Sequence, residues 1–140
     1  APSSGAAGPA PAGAALARPR RICYRRGMSD CLFCKIVAGQ IPSKKVYEDE
    51  ELLAFHDIGP QAPVHFLVVP KKHVPSLYEL EKADAALVGR LVYKAQELAR
   101  ELGCEKGARF VLNCKSDGGQ TVEHLHLHVL GGRAMGWPPG

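Results

Sequence analysis

The stretch Val122-Glu123-His124-Leu125-His126-Leu127-His128-Val129-Leu130 sets histidine at every second position, with apolar residues between. Alternate side chains on a β-strand point to opposite faces, so this pattern predicts a strand over 122–130. One face would carry three imidazoles in a row, about 7 Å apart, and the other would face a core. Wound into a helix, the same residues would scatter around the axis and build no common surface.

Three aligned imidazoles suit more than one chemistry. Alternate histidines can share a zinc ion, or one neutral imidazole can attack an electrophile while its neighbours manage protons and charge. Spacing alone leaves the two open, and a surface strand rich in histidine by chance is the plainest alternative. The preceding Ser116-Asp117-Gly118-Gly119-Gln120-Thr121 is a polar, glycine-bearing turn. Its backbone N–H groups and the Thr121 hydroxyl could gather around an oxyanion, which suits a phosphate.

The remaining chain supplies elements for a frame. Cys31–Val37 reads as a short helix ended by Gly39 and Pro42. Lys45–Glu48 and Leu52–Asp57 are strand-like runs joined by Asp49-Glu50-Glu51, a hairpin. His65–Pro70 is apolar after its first residue and stopped by proline. From about Lys82 to Leu102, apolar residues including Leu87, Leu91, Ala95 and Leu98 recur at three- and four-residue steps, which predicts one long helix with Gly103 as its stop. Arg109–Asn113 and the histidine stretch complete the order β-β-β-α-β-β, an antiparallel α+β domain.

Charge divides the chain into two parts. The net charge is +4, but residues 1–27 hold five arginines and no acid, leaving 13 basic against 14 acidic residues in 28–140. The folded part is therefore near neutral, and no nucleic-acid footprint is expected there. Residues 1–27 are Ala/Pro/Gly/Arg-rich and read as a disordered tail ahead of a domain over 28–140. The tail reads as sequence upstream of a true start at Met28, with an organelle transit segment as the alternative. No apolar run reaches the length needed to span a bilayer. Five cysteines and no secretory signal point to a reducing compartment, cytoplasmic, or mitochondrial if the tail is a transit segment.

His124-Leu125-His126-Leu127-His128-Val129-Leu130 resembles the signature of the histidine triad (HIT) superfamily. Phe55-His56-Asp57-Ile58 with Pro60-Gln61-Ala62-Pro63, and Gly131-Gly132-Arg133 with Trp137-Pro138-Pro139-Gly140, resemble its Hint branch. The resemblance runs from about Asp30 to Gly140. It implies the HIT fold: a five-stranded antiparallel sheet with one long helix and a short N-terminal helix, paired as a two-fold homodimer. It also implies hydrolysis of the P–N bond of purine nucleoside phosphoramidates through a covalent nucleotidyl-histidine. Dinucleoside polyphosphate hydrolysis, a nucleotide-binding regulator and a zinc metallohydrolase are the rivals.

The same resemblance assigns roles. His126 matches the nucleophile, His128 the histidine on the phosphate oxygens, and His124 the outer, supporting one. Thr121 stands where the branch has serine, keeping the hydroxyl and adding a methyl. Asn113 and the backbone N–H groups of Gly119, Gln120 and Thr121 would bind phosphate. Asp57 would hold the ribose hydroxyls, although it also reads as a turn cap before Gly59-Pro60. Ile58, Phe33, Ile36 and Phe55 would form the slot for the base. Catalysis needs no cofactor, and one structural zinc is expected at Cys31, Cys34, His65 and His124.

Overall fold

The computed structural model describes residues 31–140. The readings of residues 1–27 as a tail and of Met28 as a start lie outside them. Helix α1 (Leu32–Val37) is capped by Cys31, whose sulfur accepts the N–H of Cys34 at 3.2 Å. Strands β1 (Lys45–Glu48) and β2 (Leu52–His56) form the predicted hairpin. Its turn closes on Asp49, which accepts the N–H groups of Glu51 and Leu52 at 2.7 and 2.8 Å. An aspartate can tie its own following backbone in this way.

Strand β3 (Val64–Pro70) leads through two short 3-10 turns into the long helix α2 (Ala85–Glu101). Strand β4 (Ala108–Val111), a one-turn helix α3 (Lys115–Gly118) and strand β5 (Leu127–Gly131) follow. The five strands form one sheet in the order β1-β2-β3-β5-β4, every pair antiparallel. This is the predicted α+β architecture of five strands, one long helix and a short one ahead of them.

Alternation along β2 and β3 sorts the core into two layers. Leu52, Ala54, Phe66, Val68, Leu127 and Val129 meet Leu91, Ala95, Leu98 and Ala99 of α2. Leu53, Phe55, Leu67 and Val69 face the opposite way, against Phe33, Cys34 and Ile36 of α1. A strand covered on both faces needs the continuous apolar run that β3 shows. Gly131 is required where α2 ends over β5, because a Cβ there would collide with the Cys104 sulfur. Among the described residues, no helix is long and apolar enough to cross a membrane.

At the histidines the structure departs from the expected strand. The strand predicted over 122–130 begins only at Leu127, so just one of the three histidines lies on it. Upstream of Leu127, other partners take the backbone: the N–H of Leu125 donates to Val74 O at 2.7 Å, and the His126 ring donates to His124 O. Pro70 O accepts from the His124 ring at 2.7 Å. Side chains and a loop have replaced the ladder.

Candidate active site and metal-binding cluster

The expected row of three imidazoles is split in two. His124 is fully buried and turns into a cluster with Cys31, Cys34 and His73. Pro70 O can only accept, so His124 carries its proton on Nε2, and Nδ1 presents a lone pair to the cluster. That nitrogen lies 3.3 Å from Cys31 Sγ, 3.4 Å from Cys34 Sγ and 3.3 Å from His73 Nδ1. His73 Nδ1 in turn lies 3.1 Å from Cys34 Sγ.

Two thiols and two ring nitrogens converging in this way have the make-up of a tetrahedral zinc site, whose N···N edge is about 3.4 Å for Zn–N bonds near 2.05 Å. Burial works against a thiolate at Cys31, while the Cys34 N–H, which donates to its sulfur, favours one. Burial and the hydrogen bond to Cys31 push Cys34 up to about 12. The backbone carbonyl behind His124 is the kind of partner that fixes a ligating imidazole.

His73, not His65, completes this set. His65 sits five residues before Pro70, roughly 16 Å away along a strand, while His124 bonds Pro70 O at the far end. His73 follows Pro70 by three residues and reaches the cluster directly. Cys31-x-x-Cys34 lacked two ligands, and a histidine just past the stop of β3 was the signal that could have found the second.

His126 and His128 form the other half, on the α1 face of the sheet. His126 donates Nδ1–H to His124 O at 2.7 Å, which leaves Nε2 unprotonated. Its ring meets the edge of Phe33 at 5.0 Å and that of His128 at 4.9 Å, centroid to centroid. Only 4% of His126 is exposed, and burial holds its pKa below the usual histidine value, against the pull of the His124 carbonyl. The ring is therefore neutral at pH 7.

A relay sets the second tautomer. The N–H of Gln61 donates to His65 Nδ1 at 3.0 Å, so His65 holds its proton on Nε2. That proton faces His128 Nδ1 at 3.0 Å and Asp57 Oδ2 at 3.5 Å. His128 then keeps its own proton on Nε2. Burial, then the neighbouring His126 and His65, lower His128 to about 4, with Asp57 pulling the other way.

Asp57, His65 and His128 also lie close enough to hold an ion, but ring geometry separates this group from the first. Across the 3.0 Å contact the His65 and His128 centroids are 5.3 Å apart. The His73 and His124 centroids are closer, 5.1 Å, although their nitrogens are further apart, 3.3 Å. The first pair meets end-on, as a hydrogen bond requires; the second converges at an angle, as a chelate requires.

The other expected residues fall into distinct places. Asp57 does cap its turn, accepting Gly59 N–H on Oδ1 at 2.8 Å, and it also faces His65. Phe33, Ile36 and Phe55 are buried in the α1 layer, whereas Ile58 is fully exposed. Asn113 is half-buried just past β4, and Thr121 is exposed in the loop between α3 and β5. The expected trio of phosphate-binding amides is partly spent. Gly119 N–H bonds Ser116 O and Gln120 N–H bonds Lys115 O, both at 3.0 Å, leaving Thr121 as the member the turn does not use.

With fold and geometry in place, comparison with known proteins is decisive. The HIT domain family model matches residues 38–135. The chain belongs to the HIT domain family. An uncharacterised HIT-like protein of Synechocystis is 51% identical over 111 residues, covering 79% of this chain and 97% of that protein. Among solved HIT structures, a HIT family hydrolase from Legionella pneumophila is 50% identical with a TM-score of 0.78, over 79% of this chain and all of that one. A histidine triad protein from Clostridium difficile is 48% identical with a TM-score of 0.74, over 76% of this chain and 94% of that one.

Proposed function

We propose that this HIT protein is a nucleotide-binding hydrolase that cleaves the P–N bond of purine nucleoside phosphoramidates through a covalent nucleotidyl-His126. The observation that carries the reading is the pair of opposite tautomers: a bare Nε2 on His126 beside a protonated Nε2 on His128. The hydrolase name of the Legionella relative agrees with it.

His126 Nε2 attacks the α-phosphorus, and the P–N bond breaks as its nitrogen takes a proton from solvent, passed on by the Thr121 hydroxyl, and leaves as the amine. Water then attacks the phosphorus of the nucleotidyl-imidazole, releasing the nucleoside monophosphate and restoring the ring. Such transfers depend on positioning and on stabilising the equatorial oxygens. His128 donates Nε2–H to those oxygens, and its low pKa keeps it a neutral donor rather than a competing cation sink. Asp57 receives the ribose diol with the lone pairs its turn leaves over. Thr121 supplies a hydroxyl to the leaving amine, and Ile58 presents an apolar side chain to the base.

Zinc at Cys31, Cys34, His73 and His124 is a closed structural site in this reading, supplying rigidity and no reactive position. His124 then acts through its carbonyl, which fixes the His126 tautomer, and not through its ring. The paired two-fold dimer is part of the same proposal.

Incubation with adenosine 5′-phosphoramidate tests the reaction. Wild-type protein is expected to release AMP and to show a transient mass increase of one adenylyl group by rapid-quench intact mass spectrometry. His126→Gly is expected to lose more than about 10³-fold in turnover. Neither AMP nor adduct from the wild type would reject the proposal. A His126→Gly protein that loses turnover but keeps every biological effect would favour the regulator.

A further inference from the structure

The turn ahead of the histidines contains a backbone that needs holding. Lys115 has φ +62°, a left-handed conformation in a residue that is not glycine. Both of its backbone groups bond to one residue five positions later. Lys115 N–H donates to Gln120 Oε1 at 2.9 Å, and Lys115 O accepts Gln120 N–H at 3.0 Å.

The other end of the same side chain faces two carbonyls. Gln120 Nε2 donates to Pro75 O at 2.7 Å and to Val122 O at 2.9 Å. The amide is thus over-determined: a carbonyl oxygen facing an N–H, and an NH₂ facing two acceptors. Pro75 belongs to the segment that holds His73 in the metal-binding cluster and gives Val74 O to Leu125 N–H. Val122 packs against the layer that contains Phe33 and Phe55. One half-buried amide therefore joins the turn at Lys115, the strap after β3 and the lead into the histidines.

We propose that Gln120 is a positioning residue of the site, acting through its side-chain amide to hold the 115–121 turn in register with His126 and His128. Its role in the reaction rests on the hydrolase reading above; its hold on the turn does not. A glutamine serves here because three fixed backbone groups, one donor and two acceptors, must be met by one planar group. Methionine matches its length and meets none of them. Glutamate satisfies Lys115 N–H but turns a second acceptor towards Pro75 O and Val122 O, until protonation supplies a donor.

The test compares Gln120→Met and Gln120→Glu with the wild type in the full-length protein. In the absence of ligand, the Lys115 amide of Gln120→Met is expected to exchange hydrogen at least about tenfold faster, with exchange in β3 and α2 unchanged. With adenosine 5′-phosphoramidate, kcat of Gln120→Met is expected to fall about 10- to 100-fold, with KM changed less than about threefold. The activity of Gln120→Glu relative to wild type is expected to rise as pH falls from 7.5 to 5.5.

Wild-type exchange and kcat in Gln120→Met would overturn the proposal, reducing Gln120 to a space filler. Faster exchange throughout the sheet and α2 would also overturn it, since the loss would be general destabilisation. So would normal turnover by Gln120→Met beside an impaired Gln120→Glu, because charge repulsion of the substrate would then be the cause. If the wild type itself releases no AMP, the hydrolase reading fails, and the exchange measurement still decides whether Gln120 holds the turn.

Discussion

Two groups of histidines lie side by side in this protein, and they were built to opposite specifications. At Cys31, Cys34, His73 and His124 two ring nitrogens and two sulfurs converge, with a backbone carbonyl behind His124 that turns its Nδ1 lone pair into the cluster. At Asp57, His65, His126 and His128 every proton has an assigned place, and the rings meet end-on or edge-on. The first arrangement brings two sulfurs and two ring nitrogens within reach of one cation; the second places its protons so that Nε2 is bare on His126 and protonated on His128. Imidazole is the same group in both. What differs is which nitrogen a neighbouring backbone atom has claimed.

The sharpest way to break this contrast is to remove one histidine from each group. His73→Ala is expected to weaken zinc retention by on the order of 100-fold or more, read by metal analysis after dialysis against a competing chelator. His65→Ala is expected to leave zinc content unchanged. Equal zinc loss in both variants would erase the distinction.

The second expected effect is smaller and runs the other way. His65→Ala removes the donor to His128 Nδ1, frees the His128 tautomer, and is expected to cost about 10- to 100-fold in kcat. Unchanged turnover would show that the relay is idle.

The acid limb of kcat/KM, which reports the free enzyme, sharpens the contrast further. Burial holds His126 below the ordinary value of 6.5, so the lone pair on Nε2 survives below that pH. The acid midpoint of activity is expected below 6.5. A midpoint above 6.5 would mean that His126 is not the dry, neutral ring described here.

The smallest effect is on stability. His65, His126 and His128 all bind protons less readily folded than unfolded. Their contribution is present above the unfolded value near 6.5 and is lost as pH falls from 6.5 towards about 4. The thermal midpoint is expected to decline across that window, and the His128→Asn variant to show a shallower decline. An equal slope in both would assign the loss to other groups.

Much of this was legible without coordinates. The apolar run of β3, the helical period of α2, the Asp49 turn and Gly103 after α2 each express a local rule that holds wherever the chain goes. His126 and His128 stood out for the same reason, and the family resemblance named their roles. Gln120 carried no such signal, because its value lies in carbonyls 45 residues away and two residues away together.

By itself the sequence determined the elements, their antiparallel order and the family, since periodicity, turn residues and a seven-residue signature are properties of neighbours along the chain. Only the tertiary structure decided that the three histidines part company, that His73 displaces His65, and which nitrogen of each ring carries a proton. Those outcomes depend on Pro70 O, His124 O and Gln61 N–H arriving from other turns of the chain. An imidazole's chemistry is set by what its far nitrogen touches, and that partner is rarely its neighbour in sequence.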